Sequence, residues 1–131
     1  VAVAKKRRID GMIVSNTTIE RPDTLRDRQA KETGGLSGKP LFPLSTRILA
    51  QTFLRVDGQF PLIGVGGVDS AETALAKIEA GATLVQFYSA MVYKGPGLVQ
   101  DIKRGLLTAM HREKCDSLMP LIGRRAQEWA K

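Results

Sequence analysis

The chain has 131 residues, of which 43% are hydrophobic and 25% are charged, and its formal net charge is +7. This length and composition are typical of one globular domain with its own buried core, and we expect that domain to span residues 1–131. No apolar run approaches the ~20 residues of a membrane-spanning helix. At the amino end the basic residues follow the apolar ones, which is the wrong order for a secretory signal.

The basic residues are dispersed along the chain instead of forming one patch. They include the run "KKRR" at 5–8 and single residues such as Lys77, Lys103 and Arg112. Phe and Tyr do not alternate with them, as stacking platforms for nucleic-acid bases would. We therefore interpret them as solvated helix faces and expect no nucleic-acid partner, with attraction to phosphates or to an anionic membrane surface as the alternative.

The first half of the chain predicts two buried strands and one helix. Residues 9–15 ("IDGMIVS") and 61–65 ("PLIGV") are short and apolar, and each is bounded by turn-forming residues or proline. Between them, residues 44–56 ("LSTRILAQTFLRV") place apolar residues at helical spacing after a Ser or Thr suited to an N-cap. The segment from Thr17 to Leu44 is longer than an ordinary connection and is expected to have a function.

The second half continues the alternation of strand and helix. Asp69 followed by Glu72 predicts a capping box at the start of a helix, and Gly81 stands where that helix should end. A third strand is expected over 83–90 and a long amphipathic helix over 95–113. The tail, 116–131, predicts one or two short helices.

The order of elements is strand, loop, helix, strand, helix, strand, helix. Apolar strands that alternate with amphipathic helices indicate an α/β fold with a parallel sheet and right-handed crossovers. Three strands cannot close a barrel, so the predicted architecture is about three βα units of a (β/α)₈ barrel. The open sheet edge that remains favours self-association.

Two glycine- or serine-bearing segments follow the second and third strands. In "GVGGVDSAE" (64–72), Gly66 and Gly67 expose backbone amides just before a helix, a position that suits an anion. In "QFYSAM" (86–91), Tyr88 and Ser89 offer further amides and a hydroxyl. The pair predicts a phosphate site, as found after the last two strands of many (β/α)-barrels. The alternative is a tight turn that needs glycine for its geometry alone.

Two other segments suit a flat ligand. "GGLSGKP" (34–40) departs from a Walker A loop at Thr33 and Pro40, and its three glycines and Ser37 indicate a flexible loop that closes over a ligand. In "VSNTT" (14–18), the Asn16 amide matches the edge of a cyclic imide, with Ser15 and Thr17 on the opposite side of the strand. The alternatives are a plain surface loop and a strand cap.

The residues provide no evident catalytic group. The single histidine, His111, is expected on the surface of the long helix, and the single cysteine, Cys115, is expected to pack and fits a reducing compartment. No cluster has metal-ligand spacing, and there is no evident general base.

Together, the segments "DGMIVSNTT", "ETGGLSGKPL", "IGVGGVDS" and "GATLVQFYSA", in this order and spacing, resemble the C-terminal part of dihydroorotate dehydrogenase. The segment "ETGGLSGKPL" is similar to that of the class 2, quinone-dependent, membrane-associated form. The resemblance covers about residues 8–115. It implies an FMN-containing (β/α)₈ TIM barrel that oxidises dihydroorotate to orotate in pyrimidine (UMP) biosynthesis.

The resemblance also implies roles for nine residues. Asn16 and Thr17 would bind the substrate. The FMN-binding residues would be Ser15, Ser37, Gly38, Gly66, Gly67, Tyr88 and Ser89, the last four at the FMN phosphate. No metal is implied.

In the family, the catalytic base and the helices that admit quinone lie upstream of the region that corresponds to residues 1–131, that is, upstream of Val1. We therefore expect the chain alone to be inactive, to bind FMN weakly at most, and to need the N-terminal half of the barrel. The implied location is peripheral, on the cytoplasmic side of a bacterial inner membrane or on the mitochondrial inner membrane. The alternatives are another flavoprotein barrel of the pyrimidine or glutamate-synthase type, or a non-catalytic half-barrel that serves in assembly.

Overall fold

The computed structural model describes residues 1–131 and contains one sheet of three parallel strands, in the spatial order β1, β2, β3. The strands are β1 (Met12–Val14), β2 (Leu62–Val65) and β3 (Leu84–Gln86). Six α-helices accompany them: α1 (Ala2–Arg7), α2 (Phe42–Val56), α3 (Ala71–Glu79), α4 (Ser89–Lys94), α5 (Gly97–Arg112) and α6 (Ala126–Trp129).

The predicted alternation of strands and helices is confirmed, and the short helices α1 and α4 were not predicted. The strands are shorter than expected: the first one covers three of the predicted residues 9–15, and the third covers three of the predicted 83–90. Residues 87–90 leave the sheet and begin a helix instead. The tail forms a 3₁₀ turn and one short helix, in agreement with the prediction.

Two predicted helix caps were wrong. The N-cap of α2 is Leu41, without a side-chain cap, and the helix begins two residues before the predicted start because Pro43 fits its first turn. The capping box of α3 is formed by Ser70 and Thr73 and not by Asp69 and Glu72. The Thr73 hydroxyl accepts the N–H groups of both residues that precede the helix, which a Glu at position 72 cannot do.

The helices cover one face of the sheet. Val14, Gly64 and Val85 are paired across the three strands on this face, and Leu49 of α2 is fully buried against it. A second cluster joins α3 and α5 through Ala74 and Ile102. Burial of these side chains is the main source of stability for such a layered arrangement.

The opposite face of the sheet is open in this chain. Ile13 and Leu84 are aligned on it through β2, and their exposed fractions are 52% and 61%. The strands therefore carry apolar residues on both faces, as predicted for a parallel sheet, although helices of this chain cover only one of them.

A cluster of ion pairs attaches the tail to α3. Glu79 is 5% exposed, and its carboxylate accepts hydrogen bonds from the guanidinium groups of Arg124 and Arg125. Arg124 also donates to Glu113 at 2.7 Å, and this bond together with those to Glu79 raises the pKa of Arg124 above its usual range. The amide of Gly123 donates to the carbonyl of Ile78 and completes the attachment.

We expect Glu79→Gln to lower the free energy of unfolding by about 1–2 kcal/mol, because two guanidinium groups lose a mostly buried anionic acceptor. The matched control is Glu128→Gln, which removes an exposed partner of Arg125 and should cost about 0.5 kcal/mol or less. Urea unfolding of both variants measures the difference. Equal losses for the two variants would contradict the assigned role of Glu79.

Candidate functional site

The carboxyl ends of the three strands meet at one edge of the sheet and line a single cavity of about 780 Å³. This volume is within the usual range for small-molecule sites. Nine residues named from the sequence all line it: Ser15, Asn16, Thr17, Ser37, Gly38, Gly66, Gly67, Tyr88 and Ser89. The structure therefore brings together segments that are up to 74 positions apart, while the individual roles predicted for them stay predictions.

The turn after β2 presents backbone N–H groups without partners. Gly67 is buried, and neither its N–H nor that of Gly66 donates to an atom of the chain. The N–H of Tyr88, after β3, is also without an acceptor. Since buried backbone donors are nearly always paired, the N–H of Gly67 indicates a site for an acceptor that is not part of the chain, and Gly66 and Tyr88 line the same cavity.

The two glycines are required by packing as well as by any ligand. Both have positive φ, and a Cβ on Gly67 would lie 2.7 Å from the backbone nitrogen of Phe42. A Cβ on Gly66 would lie 2.8 Å from Oγ of Ser45. The turn therefore needs glycine for its packing against α2, while the phosphate site stays a prediction.

The residues that follow β1 are outside the strand. Because β1 ends at Val14, the predicted alternation of Ser15, Asn16 and Thr17 across a strand does not apply, and all three line the same cavity. Oδ1 of Asn16 accepts the N–H of the next residue, Thr17, at 2.8 Å. The Nδ2 group of Asn16 donates to no atom of the chain and can still meet a ligand carbonyl.

The glycine-rich loop contacts the end of β3 across the cavity. Oγ of Ser37 lies 3.1 Å from Oγ of Ser89, and a Cβ on Gly38 would lie 3.6 Å from Cβ of the same serine. Lys39 and Lys94 also line the cavity and carry two positive charges, whereas Asp69 contributes the one negative charge among the lining residues. The local charge is therefore positive, which favours an anionic ligand.

Arg21 organises this long loop, a role that no local pattern in the sequence indicates. Its guanidinium group donates to five backbone carbonyls, of residues 18, 20, 30, 32 and 34. Thr18 and Leu36 form an isolated bridge with N···O distances of 3.2 and 2.7 Å beside it. The loop predicted over 17–44 thus has a defined form that depends on one rigid five-donor group.

Lys77 was also assigned incorrectly from the sequence. It was grouped with solvated helix faces, but its exposed fraction is 0% and it is the largest fully buried side chain. Nζ donates to Oγ of Ser45 at 2.6 Å and lies 5.1 Å from the centroid of the Phe42 ring. Burial without a carboxylate partner lowers the pKa of Lys77 to about 7. A lysine at helical spacing among apolar residues is the signal that could have revealed it.

Comparisons with known proteins agree with this arrangement of motifs. A protein-family profile described as dihydroorotate dehydrogenase matches residues 1–110. The chain belongs to the dihydroorotate dehydrogenase family. The predicted resemblance is confirmed, and the alternative of another flavoprotein barrel is not supported.

Curated relatives in this family are named dihydroorotate dehydrogenase (quinone). One from Bradyrhizobium diazoefficiens is 62% identical over 124 residues, which cover 94% of this chain and 34% of the relative. One from Rhodopseudomonas palustris is 57% identical over 135 residues, covering 98% of this chain and 37% of the relative. The chain spans about a third of the length of the dihydroorotate dehydrogenases that it matches.

Solved structures of dihydroorotate dehydrogenase from Eimeria tenella share the fold. The complex with ferulenol has a TM-score of 0.88 at 38% identity and covers 93% of this chain and 32% of that one. A ligand-free form has a TM-score of 0.89 at 37% identity, covering 94% and 34%. The predicted fold class, part of an α/β barrel, is confirmed. None of the helices combines the length and apolarity that crossing a bilayer requires.

We expect Arg21→Lys to loosen the loop over residues 18–36, because an ammonium group cannot donate to five carbonyls at once. Hydrogen exchange of the amides in this loop should be faster by about tenfold or more. Arg28→Lys, at an exposed position of the same loop without hydrogen bonds, is the control and should leave exchange unchanged. Unaltered exchange in the Arg21 variant would show that the loop does not depend on this side chain.

A second prediction concerns Lys77 and pH. Its pKa is lower in the folded chain, about 7, than in the unfolded chain, about 10.4. Between these values the unfolded state binds more protons, so stability rises with pH across this window, and the full cost of burial applies below pH ~7. We expect Lys77→Met to be more stable than the parent at pH 6–7 by about 3 kcal/mol or less, with the difference shrinking towards pH 10.

Denaturant unfolding at several pH values measures this effect. The control is Lys103→Met, an exposed lysine of α5, whose stability curve should run parallel to that of the parent chain. If the Lys77→Met curve also runs parallel to the parent curve from pH 6 to pH 10, the amine is not titrating in the buried site.

Proposed function

We propose that this chain forms part of a quinone-dependent dihydroorotate dehydrogenase, in which it holds the phosphate end of FMN and one side of the dihydroorotate site. The observation that carries the proposal is the convergence of three strand ends and the glycine-rich loop on one positively charged cavity with unpartnered amides. Membership of the family and the names of the quinone-dependent relatives support the choice of reaction.

The donor set of the cavity fits the phosphate of FMN. The N–H groups of Gly66, Gly67 and Tyr88 are free to donate, and the hydroxyl of Ser89 lies beside them on the next strand end. Main-chain amides that converge at strand ends are a common way to bind a phosphate dianion. Ser37 and Gly38 approach Ser89 from the loop and would cover the cofactor on that side.

The substrate contact is assigned to Asn16 and Thr17. The free Nδ2 group of Asn16 can donate to a carbonyl or carboxylate oxygen of dihydroorotate, while its Oδ1 is held by the Thr17 amide. This local bond fixes the plane of the side chain before substrate arrives, which lowers the entropic cost of binding. Ser15, next in the chain, would meet the cofactor.

In the proposed reaction, bound FMN supplies the acceptor for the hydride that leaves the substrate. The residues of this chain bind and orient the two reactants, and we assign the proton-abstracting base to the remainder of the enzyme. Among the residues lining the cavity, Asp69 is the single carboxylate, and it contacts Lys94. We place the enzyme peripherally at an inner membrane, where quinone is available.

The open apolar face of the sheet supports the need for the rest of the barrel. Ile13 and Leu84 lie on the face that would form the barrel interior, where side chains from the other strands normally pack. We therefore expect little FMN binding and no turnover from the 131 residues alone.

The test is titration of the chain with FMN, with and without the remaining two thirds of the Bradyrhizobium diazoefficiens relative. We expect quenching of flavin fluorescence and bleaching by dihydroorotate only when both parts are present. Absence of both signals in the combined protein would favour a non-catalytic assembly module instead.

The variant Asn16→Asp examines the substrate assignment in the combined protein. It replaces a donor by a negative charge facing an anionic substrate, so the KM for dihydroorotate should rise by about tenfold or more while FMN binding changes little. Gln29→Glu makes the same chemical change at an exposed loop position and should leave both values unaltered. An unchanged KM for the Asn16 variant would remove this residue from the substrate site.

A further inference from the structure

Lys77 is the one buried ionisable group near the cavity that the proposed function does not use. It projects from α3, is 0% exposed, and does not line the cavity. No carboxylate forms an ion pair with it, and its only hydrogen bond is to Oγ of Ser45. Burying an amine with so little compensation is costly, and a methionine would fill the same space without that cost.

The hydroxyl of Ser45 connects this amine to the glycine turn. Ser45 is 3% exposed, and its Oγ lies 2.9 Å from the carbonyl oxygen of Gly66 and 3.1 Å from that of Phe42. A hydroxyl has one proton, so it can donate well to only one of these carbonyls at a time. Serine in a helix commonly donates to the preceding turn, which here is Phe42, and this would leave the Gly66 carbonyl without a donor.

The amine of Lys77 strengthens the bond that this hydroxyl donates. It donates to the oxygen of Ser45 in either protonation state, because –NH₃⁺ and –NH₂ both carry N–H groups. Its approach occupies a lone pair of the hydroxyl and polarises the O–H bond, which strengthens donation to the closer carbonyl, that of Gly66.

Fixing the Gly66 carbonyl also fixes the Gly67 N–H. The two groups belong to one trans peptide plane and point in opposite directions. Glycine pairs are free to rotate this plane, since neither residue has a Cβ. With the carbonyl held towards Ser45, on the α2 side, the Gly67 N–H points away from α2 and stays available to a ligand.

We propose that Lys77 is a positioning residue, which acts through Ser45 to hold the Gly66–Gly67 peptide with its N–H directed at the phosphate of the cofactor. This proposal rests on the proposed function, because it assumes a phosphate in the cavity. It assigns no contact between Lys77 and the cofactor itself.

The experiment compares FMN with riboflavin, which lacks the phosphate, in the combined protein described above. The dissociation constant of riboflavin divided by that of FMN reports what the phosphate contributes to binding. We expect Lys77→Met to lower this ratio by about tenfold, through weaker FMN binding, and to leave riboflavin binding unchanged. Because unfolding would weaken riboflavin binding as well, unchanged riboflavin binding separates this result from a loss of folding.

Ser45→Ala provides the second variant and should lower the ratio to a similar extent. If Lys77 acts through Ser45, the double variant should be no worse than either single one, whereas two independent structural defects would multiply. Thr52→Val is the control, since it removes another buried hydroxyl of α2 that donates only within the helix.

The outcomes separate the two proposals. A parent protein that binds FMN no better than riboflavin would overturn the proposed phosphate site itself. A parent that prefers FMN, together with Lys77→Met and Ser45→Ala variants that keep the full preference, would overturn the role of Lys77 alone. Multiplying effects in the double variant would also contradict a relay through Ser45.

Discussion

The close contact between the Gly66–Gly67 turn and the first turns of α2 is the constraint on which the site depends. Any side chain on either glycine would collide with α2, so the strand end and the helix must approach to backbone distance. Ser45 and Phe42 are therefore brought beneath the turn, and Lys77 reaches both from α3. The same approach leaves the turn at the wall of the cavity, where the proposed function needs its amides.

The sheet explains why the cavity lies at one edge and why one face is open. Parallel strands in register place all carboxyl ends together, and the loops that follow them share one cavity. The face covered by helices is buried, but Ile13 and Leu84 on the other face have no partners within this third of a dihydroorotate dehydrogenase. In a closed barrel that face is the packed interior.

The long loop shows how a segment without helix or strand can still be well defined. Its carbonyls have no ladder to join, and Arg21 supplies the donors that a second strand would otherwise provide. The bridge between Thr18 and Leu36 then sets the position from which Ser37 reaches Ser89. Local order in the loop thus carries over to the shape of the cavity.

The sequence by itself determined the order of the three strands and the longer helices, the parallel sheet and the four segments at the site, because apolar periodicity and glycine placement are local signals. It also carried the family resemblance. It did not determine the caps of α2 and α3, where several residues compete for the same free amides, or the end of β1 at Val14. Only the tertiary structure decided that Lys77 is buried and that Arg21 holds the loop. The spacing of Lys77 among apolar residues hints at its burial, but its partner Ser45 lies 32 positions away, and no local pattern identifies such a partner.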